Sequence, residues 1–258
     1  MTKLFIDPGH GGRDPGAVGN GLKEKDLTLA ISNRVRQMLI DDYHGVEVKM
    51  SRTTDTFVSL ADRSHMANNW RADYFLSIHV NAGGGTGFES FIHSSRATRT
   101  VSLQAIIHDQ MMNTIHAVDR GKKSANFAVL RQTVMPAILT ENLFIDRVAD
   151  AVKLKSASYI QSLARGHVEG LVRAFSLQKR SAELQPTTLH KVQGGAFRSK
   201  ANADQRKSQL EQAGYHTLIV FHEGLYRVQL GAFANLGKAN SLATELKQKG
   251  FDSYIVRT

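Results

Sequence analysis

Two histidines and a glutamate stand where strand-like segments of this sequence run into turns. His10 ends the run LFIDPG and opens a glycine turn, and His79 ends the run YFLSI before VNAGG. Glu141 directly follows the apolar run PAILT. The strands of an α/β sheet carry reactive side chains to a shared carboxyl edge. Two imidazoles and a carboxylate at such an edge are typical of a metal-assisted hydrolase.

The residues alone leave the identity of the third metal ligand open. A catalytic zinc site takes about three protein ligands and leaves one position for water. Because the chain contains no cysteine, its ligands must be histidines and carboxylates. Glu24 is a candidate because it lies one loop from His10, just before the first predicted helix. A glutamate there is also commonly a solvated charge that suits the helix dipole, and a strand-end histidine can simply hydrogen-bond a loop, so both alternatives stay open.

The remaining polar motifs carry weaker signals. Glu141 ends a buried-looking strand, where an unpaired carboxylate is costly, so it belongs either to a site or to a buried ion pair. The glycine turn at His10 lacks the Gly-Lys-Ser/Thr ending of a phosphate-binding loop, which excludes that function. We expect surface positions for seven histidines, His44, His93, His108, His116, His190, His216 and His222. His65 and His167 lie on predicted helices, where packing or solvent exposure is expected.

The elements that must position these residues alternate between strands and helices. The predicted strands are Leu4–Asp7, Val46–Met50, Tyr74–His79, Glu89–Ile92, Ala128–Leu130 and Ala137–Glu141. The predicted helices are Asp26–Ile40, Ser59–Asn69, Arg99–Thr114 and Ser156–Phe175. This pattern predicts an α/β domain in residues 1–177, with three αβα layers around a mostly parallel sheet. The glycine-rich stretch Gly83–Gly87 either shapes the cleft beside His79 or is a plain flexible connection.

The last part of the chain is an internal repeat. Residues 178–187 lose apolar periodicity and read as a linker. Beyond them, LHKVQGGAF at 189–197 matches LYRVQLGAF at 225–233, an offset of 36 residues (192 to 228) that continues to Val220 and Val256. Each repeat, 188–223 and 224–258, reads as strand, helix and strand. Two such units predict a small α+β domain of ferredoxin-like type, and it contains no paired acid and base, so we expect a binding module.

Composition limits the class of protein. The chain has 258 residues, of which 41% are hydrophobic and 22% charged, as in a soluble protein with one large and one small domain. No apolar run is long enough to span a membrane, and no signal peptide is recognisable. The formal net charge is +10. Residues 188–258 hold ten basic and five acidic side chains, so each part carries about +5, which favours attraction to a polyanion such as an anionic bacterial envelope.

Four motifs in one order resemble the zinc-dependent N-acetylmuramoyl-L-alanine amidases of bacterial cell-wall turnover, the amidase_3 family. They are IDPGHGG at 6–12, GLKEK at 21–25, SIHVNA at 77–82 and TEN at 140–142. The resemblance covers about residues 2–176, and the whole chain is similar to the sporulation-associated autolysins of Bacillus-like bacteria. Residues 188–258 resemble a SPOR domain, a sporulation-related repeat that binds peptidoglycan.

The resemblance assigns roles to the candidate residues. It implies that His10, Glu24 and His79 bind Zn²⁺ and that Glu141 is the catalytic carboxylate. The implied reaction is hydrolysis of the amide between N-acetylmuramic acid and L-alanine, in mother-cell lysis during sporulation, with peptidoglycan as substrate and as ligand of the repeat. Leu143 stands where the family more often has glycine, so we expect the backbone beside Glu141 to differ locally.

Other functions would use the same residues. A zinc peptidase acting on stem peptides needs the same metal set, and a non-catalytic regulator that binds the wall would retain the fold. We do not expect a nucleic-acid binder, because the repeat lacks the aromatic-rich strand motif of an RNA-recognition domain. The predicted location is extracellular, at the cell wall, reached by leaderless export or by release on mother-cell lysis.

Overall fold

A computed structural model describes residues 1–180 and 189–257 of the chain. The chain divides into two compact units, Met1–Ser181 and Ala182–Thr258. Gln178–Lys179, at the start of the predicted linker, forms a short strand that pairs with Tyr43–His44. The rest of that linker, from residue 181 to 187, lies outside the described residues. No described helix is long and apolar enough to cross a membrane.

The first unit alternates strands and helices, as predicted. Its strands are β1 (Thr2–Pro8), β2 (Val18–Gly19), β3 (Leu22–Lys23), β4 (Tyr43–His44), β5 (Val46–Met50), β6 (Tyr74–Asn81), β7 (Phe88–His93), β8 (Asp119–Ala125), β9 (Ala137–Phe144) and β10 (Gln178–Lys179). Its helices are α1 (Glu24–Asp42), α2 (Leu60–Asn69), α3 (Thr98–Ile115), α4 (Ala128–Gln132), α5 (Val148–Lys155) and α6 (Ala157–Phe175).

The main sheet of this unit is mostly parallel. Among the described residues it has six strands, in the order β5-β1-β6-β9-β7-β8. β1 pairs in parallel with β5 and β6, and β6 pairs in parallel with β9. β7 is antiparallel to β9 and parallel to β8. The carboxyl ends of β1, β6 and β9 therefore meet at one edge, where His10, His79 and Glu141 lie.

Alternation along the strands divides the core between the two faces of the sheet. On one face, Leu76 and Ile78 of β6 belong to a large buried cluster built with α1, α3 and α6. On the other face, Phe75 of β6 and Leu139 of β9 pack with buried residues of α2 and α4. Helices cover both faces, which confirms the predicted three-layer architecture.

The structure corrects the prediction at the far edge of the sheet. Ala128–Leu130, predicted as a strand, lies in the helix α4, and the strand that occupies this edge is Asp119–Ala125. Its sequence DRGKKSA has no apolar alternation, so the strand pattern is missing from it. The helix Val148–Lys155 was also not predicted.

His108 is the clear exception among the histidines predicted to be on the surface. It is completely buried, because it lies on the inner face of α3, where its ring nitrogens bond Ser90 Oγ at 2.8 Å and Asp119 Oδ1 at 2.9 Å. Ser90 is equally buried, so this Ser-His-Asp string is structural rather than nucleophilic. The other predicted surface histidines are exposed or half-buried. On the helices, His167 is buried and His65 is exposed.

The second unit has the predicted strand–helix–strand repeat. Its elements are β11 (His190–Phe197), α7 (Lys200–Gln212), β12 (Leu218–His222), β13 (Leu225–Phe233), α8 (Leu236–Gln248) and β14 (Tyr254–Arg257). The strands form an antiparallel sheet in the order β12-β13-β11-β14. This is the strand order of a ferredoxin-like domain, with one helix after the first strand of each repeat.

The core of this unit follows the duplication residue by residue. Its fully buried members form three pairs, Val192 with Val228, Ala203 with Ala239 and Leu210 with Leu246, each separated by the 36-residue offset. Both repeats contribute to one cluster, so neither repeat buries its apolar face without the other.

Candidate metal centre

Three elements bring His10, Glu24 and His79 together. His10 follows β1 in a left-handed backbone conformation with φ of 59°, Glu24 is the first residue of α1, and His79 lies in β6. Glu24 bridges the imidazoles, with its Oε2 3.1 Å from His10 Nε2 and its Oε1 2.9 Å from His79 Nδ1. One potential ligand atom from each residue lies within 4.8 Å of the others.

Glu24 is held rigidly in the interior. Its carboxylate accepts hydrogen bonds from the backbone N–H groups of Ala17, at 2.9 Å, and Val80, at 3.0 Å. Burial raises the pKa of Glu24, but the hydrogen bonds with His10 and His79 outweigh this effect and hold the pKa well below its usual range. Glu24 is therefore an anion at any physiological pH, which is the state required of a metal ligand.

The pKa values of the two histidines shift in the opposite direction from that of Glu24. Burial lowers the pKa of both imidazoles, but hydrogen bonding to Glu24 and its negative charge outweigh burial and raise the pKa of His10 and His79. Two imidazoles and one carboxylate are a donor set that zinc accepts. The chemistry and the closeness of these ligand atoms therefore fit a zinc ion.

Two glycines allow this close packing. A Cβ on Gly9 would lie 2.3 Å from Cε1 of His79, and a Cβ on Gly16 would lie 2.6 Å from Oε2 of Glu24. Gly16 also has a φ of +64°, where a side chain is strained. Gly9 and Gly16 are thus needed for the close approach of the imidazoles and Glu24, whereas the sequence alone indicates only a turn at these glycines.

A buried ion pair braces the end of β1. Arg63 of α2 donates to Asp7 Oδ1 at 2.7 Å and to the backbone carbonyls of Pro8 and His10 at 2.6 and 2.7 Å. Arg52 donates to the carbonyl of Gly9 at 2.8 Å. These contacts fix the loop that carries His10, so the arginines position His10 without belonging to the group of His10, Glu24 and His79.

Asp14 orients the His10 ring from the side opposite Glu24. Its Oδ2 lies 2.9 Å from His10 Nδ1, while the other ring nitrogen, Nε2, faces Glu24. A carboxylate on the second nitrogen of a ligand imidazole fixes the ring and raises its basicity. Asp14 was not predicted from the sequence, although an acidic residue four positions after a candidate ligand, in the same glycine loop, is a usable signal.

Glu141 lies beside the three residues, on the same face of the sheet. It pairs in register with His79 of the neighbouring strand. Its Oε2 is buried and has no hydrogen-bond partner among the described residues. Burial raises the pKa of Glu141 to about 7, opposed in part by the charge of His79 and assisted by the charges of Glu24 and Glu89. A carboxyl group with this pKa can both accept and return a proton near neutral pH.

A cavity of about 330 Å³ opens over this edge of the sheet. Its polar lining includes His10, His79 and Glu141, while its walls are largely apolar. The apolar contributors come from the loop before α2, the first residue of α2 and the start of α4, and they include Phe57, Val58, Leu60, Phe127, Ala128 and Val129. The cavity thus combines a few convergent polar groups with apolar walls, as binding sites commonly do.

The glycine-rich stretch after His79 is a packed loop rather than a free connection. Asp146 accepts the backbone N–H groups of Gly83 and Gly84, both at 2.8 Å. A Cβ on Gly85 would lie 2.6 Å from the Phe144 ring, and Asp150 accepts the N–H of Gly87. The loop is therefore held against the end of β9, although it does not line the cavity described above.

Leu143 has an unusual backbone conformation. Its φ is +67°, in the left-handed region that favours glycine. The pairing of β6 with β9 is irregular here, because His79 pairs with Glu141 whereas Asn81 pairs with Phe144. The Leu143 side chain is completely buried in the larger core cluster. The chain thus keeps the conformation of a glycine position and fills the core with a leucine.

Comparison with known proteins identifies the family. Residues 4–173 match the N-acetylmuramoyl-L-alanine amidase family Amidase_3, and residues 186–257 match the SPOR domain. The first match covers well over half of the chain. The chain therefore belongs to the N-acetylmuramoyl-L-alanine amidase family and carries a SPOR domain after its family domain.

Two relatives align with most of the chain. A sporulation-specific N-acetylmuramoyl-L-alanine amidase of Bacillus subtilis (strain 168) is 55% identical over 223 residues, covering 86% of this chain and 86% of that protein. The N-acetylmuramoyl-L-alanine amidase CwlM of Bacillus licheniformis is 52% identical over 223 residues, with the same coverage of both chains.

Solved structures match about two thirds of the chain. An N-acetylmuramoyl-L-alanine amidase of Clostridium difficile 630 superposes with a TM-score of 0.66 at 35% identity, covering 68% of this chain and 97% of that chain. The catalytic domain of the amidase CwlV from Bacillus (Paenibacillus) polymyxa var. colistinus also has a TM-score of 0.66, at 30% identity, covering 69% of this chain and all of that one.

Proposed function

We propose that this chain is a peptidoglycan hydrolase that cleaves the amide between N-acetylmuramic acid and L-alanine. The family match and the names of the two Bacillus relatives support this activity. The observation that carries the proposal is a cavity lined by His10, His79 and Glu141, in which the pKa of Glu141 is about 7 and Glu24 bridges the two histidines from behind the lining.

The three residues of that group are the proposed zinc ligands. A zinc ion bound by His10, Glu24 and His79 would lower the pKa of a coordinated water and polarise the scissile carbonyl. Glu24 contributes the negative charge of the set, and Asp14 holds the His10 ring in the orientation that directs Nε2 toward Glu24. The buried Arg63–Asp7 pair keeps the His10 loop in place.

Glu141 is the proposed proton carrier. Glu141 lines the cavity, and its Oε2 has no hydrogen-bond partner among the described residues, so its carboxylate could accept a proton from the attacking water and return it to the leaving amine. Glu141 would lose its own proton more readily beside a bound cation, which favours the base form at neutral pH. An amide needs both steps, because water is a weak nucleophile and the amine leaves poorly unless it is protonated.

The SPOR domain is the proposed attachment module. A second unit with its own core and no candidate metal group among its described residues suits binding rather than chemistry. Its excess of basic side chains favours the anionic polymers of a bacterial wall. We therefore place the protein at the cell wall, and the name of the Bacillus subtilis relative supports a role in sporulation.

Digestion of purified cell walls tests the bond that is cut. When the new amino termini of the products are labelled, the labelled residue should be L-alanine, at otherwise intact stem peptides. A chelator should stop the release, and added zinc should restore it. Amino termini from within or between stem peptides would instead identify a zinc peptidase, and failure to release any amino group would leave only the wall-binding function.

A further inference from the structure

Four neighbouring strands present a row of polar side chains on the face that carries the candidate site. His79 of β6 pairs with Glu141 of β9, and Glu141 pairs with Glu89 of β7. Paired residues project to the same face, and neighbouring strands lie about 4.8 Å apart. Glu89 is therefore the next side chain beyond Glu141, on the side away from His10, and β8 follows it at the edge of the sheet.

Glu89 anchors two cations from β8. Its Oε2 accepts Arg120 Nε at 2.8 Å and Lys123 Nζ at 2.5 Å. A kink brings both cations to one oxygen, since Gly121 has a φ of +91° and the pairing of β7 with β8 shifts register at this point. Asn81 donates to the other oxygen at 2.7 Å. Through Asn81, Glu89 is thus also connected to β6, the strand that carries His79.

The cations are only partly neutralised. Glu89 is almost fully buried, with a side chain 6% exposed, whereas Arg120 and Lys123 are 34% and 38% exposed. One carboxylate faces two cations, so the cluster carries about one surplus positive charge. Arg120 uses Nε for Glu89, and its two terminal nitrogens have no hydrogen-bond partner among the described residues. A planar pair of free N–H donors is the group that binds carboxylates in two-point fashion.

The cluster is continuous with the wall of the cavity. Lys123 Nζ lies 5.7 Å from the centre of the Phe91 ring, and Phe91 packs against Phe127 with ring centres 5.2 Å apart. Phe127 lines the cavity together with Glu141. Phe91 and Phe127 therefore connect the cluster to the wall of the cavity that Glu141 lines.

We propose that Arg120 and Lys123, held by Glu89, bind a carboxylate of the peptide that leaves the cut amide. The inference rests on the proposed amidase function. In such a substrate the lactyl carboxyl is consumed in the amide and the glycan is neutral, so the free carboxylates belong to the peptide. The two cationic groups meet at Glu89 Oε2, and β7, which carries Glu89, lies one strand spacing, about 5 Å, from the strand of Glu141. Extended peptide advances about 3.5 Å per residue, so the carboxylate within reach is that of the second peptide residue.

Two soluble muramoyl-tripeptides test this without any mutation. They differ only in the second peptide residue, which carries a free carboxylate in one and the corresponding primary amide in the other. The wild-type chain should cleave the acid with a kcat/KM about tenfold to a hundredfold higher, as expected for a charge-assisted contact. Equal kcat/KM for the two substrates would overturn the proposal. Failure to cleave either substrate would overturn the amidase function itself.

Variants test whether Arg120 and Lys123 cause the preference for the acid substrate. Arg120→Gln and Lys123→Met should each lower kcat/KM for the acid by about tenfold, toward the value of the amide, and leave the amide unchanged. Lys122→Met is the matched control, because Lys122 is equally exposed on β8 but pairs with Asp109. An equal loss on both substrates would contradict carboxylate binding. If thermal unfolding reports a variant as misfolded, the wild-type comparison still decides.

Discussion

At the scale of single residues, Glu24 explains the charge state of the candidate site. Its carboxylate bonds both imidazoles, so the site without metal is held together by hydrogen bonds that a metal ion would replace. The same bonds raise the pKa of His10 and His79 despite their burial, and protons on these rings compete directly with a metal. Metal binding at this site should therefore depend strongly on pH.

The first prediction gives the sign of that dependence. Zinc affinity should be highest above the raised pKa values of His10 and His79 and should fall as the pH drops through them. The loss should be about tenfold per pH unit for each proton that zinc displaces. Competition with a chelating dye at pH 8, 7 and 6 measures it. An affinity that is constant over this range would contradict proton competition at the two imidazoles.

The sequence singled out some of these residues and missed others for a physical reason. His10, His79 and Glu141 could be predicted because a strand end before a turn is a local pattern. Glu24 needed the family resemblance, since a glutamate that starts a helix is usually solvated. The role of Glu89 could not be predicted, because it depends on contacts with β8. This edge strand has a charged sequence without a strand pattern.

At the scale of elements, too, the sequence predicts those features that have a local pattern and misses those that do not. The strands β1, β6 and β9 are apolar along their length, since parallel strands are buried on both faces, and the sequence reveals them. The helix α4 was mistaken for a strand because the short apolar run Ala128–Leu130 fits either structure. The antiparallel direction of β7 also has no local signal, since it depends on how the chain crosses the sheet.

The second prediction concerns the bulge of β9 at Leu143. At an ordinary position, glycine is less stable than alanine by about 1 kcal/mol. At φ of +67° the order should reverse, because alanine keeps the left-handed strain of about 1–2 kcal/mol and glycine does not. Leu143→Gly and Leu143→Ala should both destabilise the protein, since each removes a buried leucine side chain.

Urea unfolding of the two variants measures this order. Leu143→Gly should have the larger free energy of unfolding of the pair. The converse order, with Leu143→Ala more stable, would mean that the backbone at this position relaxes out of the left-handed region. Ala151, buried in α5, provides the matched control, where replacement by glycine should destabilise in the ordinary way.

At the scale of the whole molecule, the chain joins two units with separate cores. The duplication could be predicted in detail, because a constant offset fixes which residues are equivalent, and the three buried pairs of the core follow it. The boundaries proposed from the sequence, at residues 177 and 188, stay a prediction. Tethering a hydrolase to an insoluble polymer raises its effective concentration near the bonds it cuts.

The third prediction tests this division of labour with fragments. Residues 1–180 should retain zinc and cleave soluble muropeptides at a rate similar to that of the full chain, but should pellet less with purified walls. Residues 188–258 should pellet with walls and release nothing. Part of this binding should be lost as salt rises, because charge contributes to it. Equal pelleting of residues 1–180 and the full chain would contradict an attachment role for the SPOR domain.

The central claim is that His10, Glu24 and His79 hold the metal while Glu141 moves the proton. Zinc content and turnover of a soluble muropeptide, measured on the same preparations, test it most directly. Glu141→Gln should keep about one zinc per chain and lose activity by a factor on the order of 10² or more. His79→Ala should lose both, and Glu47→Gln, an exposed control, should lose neither. Near-normal turnover in Glu141→Gln, or full zinc occupancy in His79→Ala, would contradict the account.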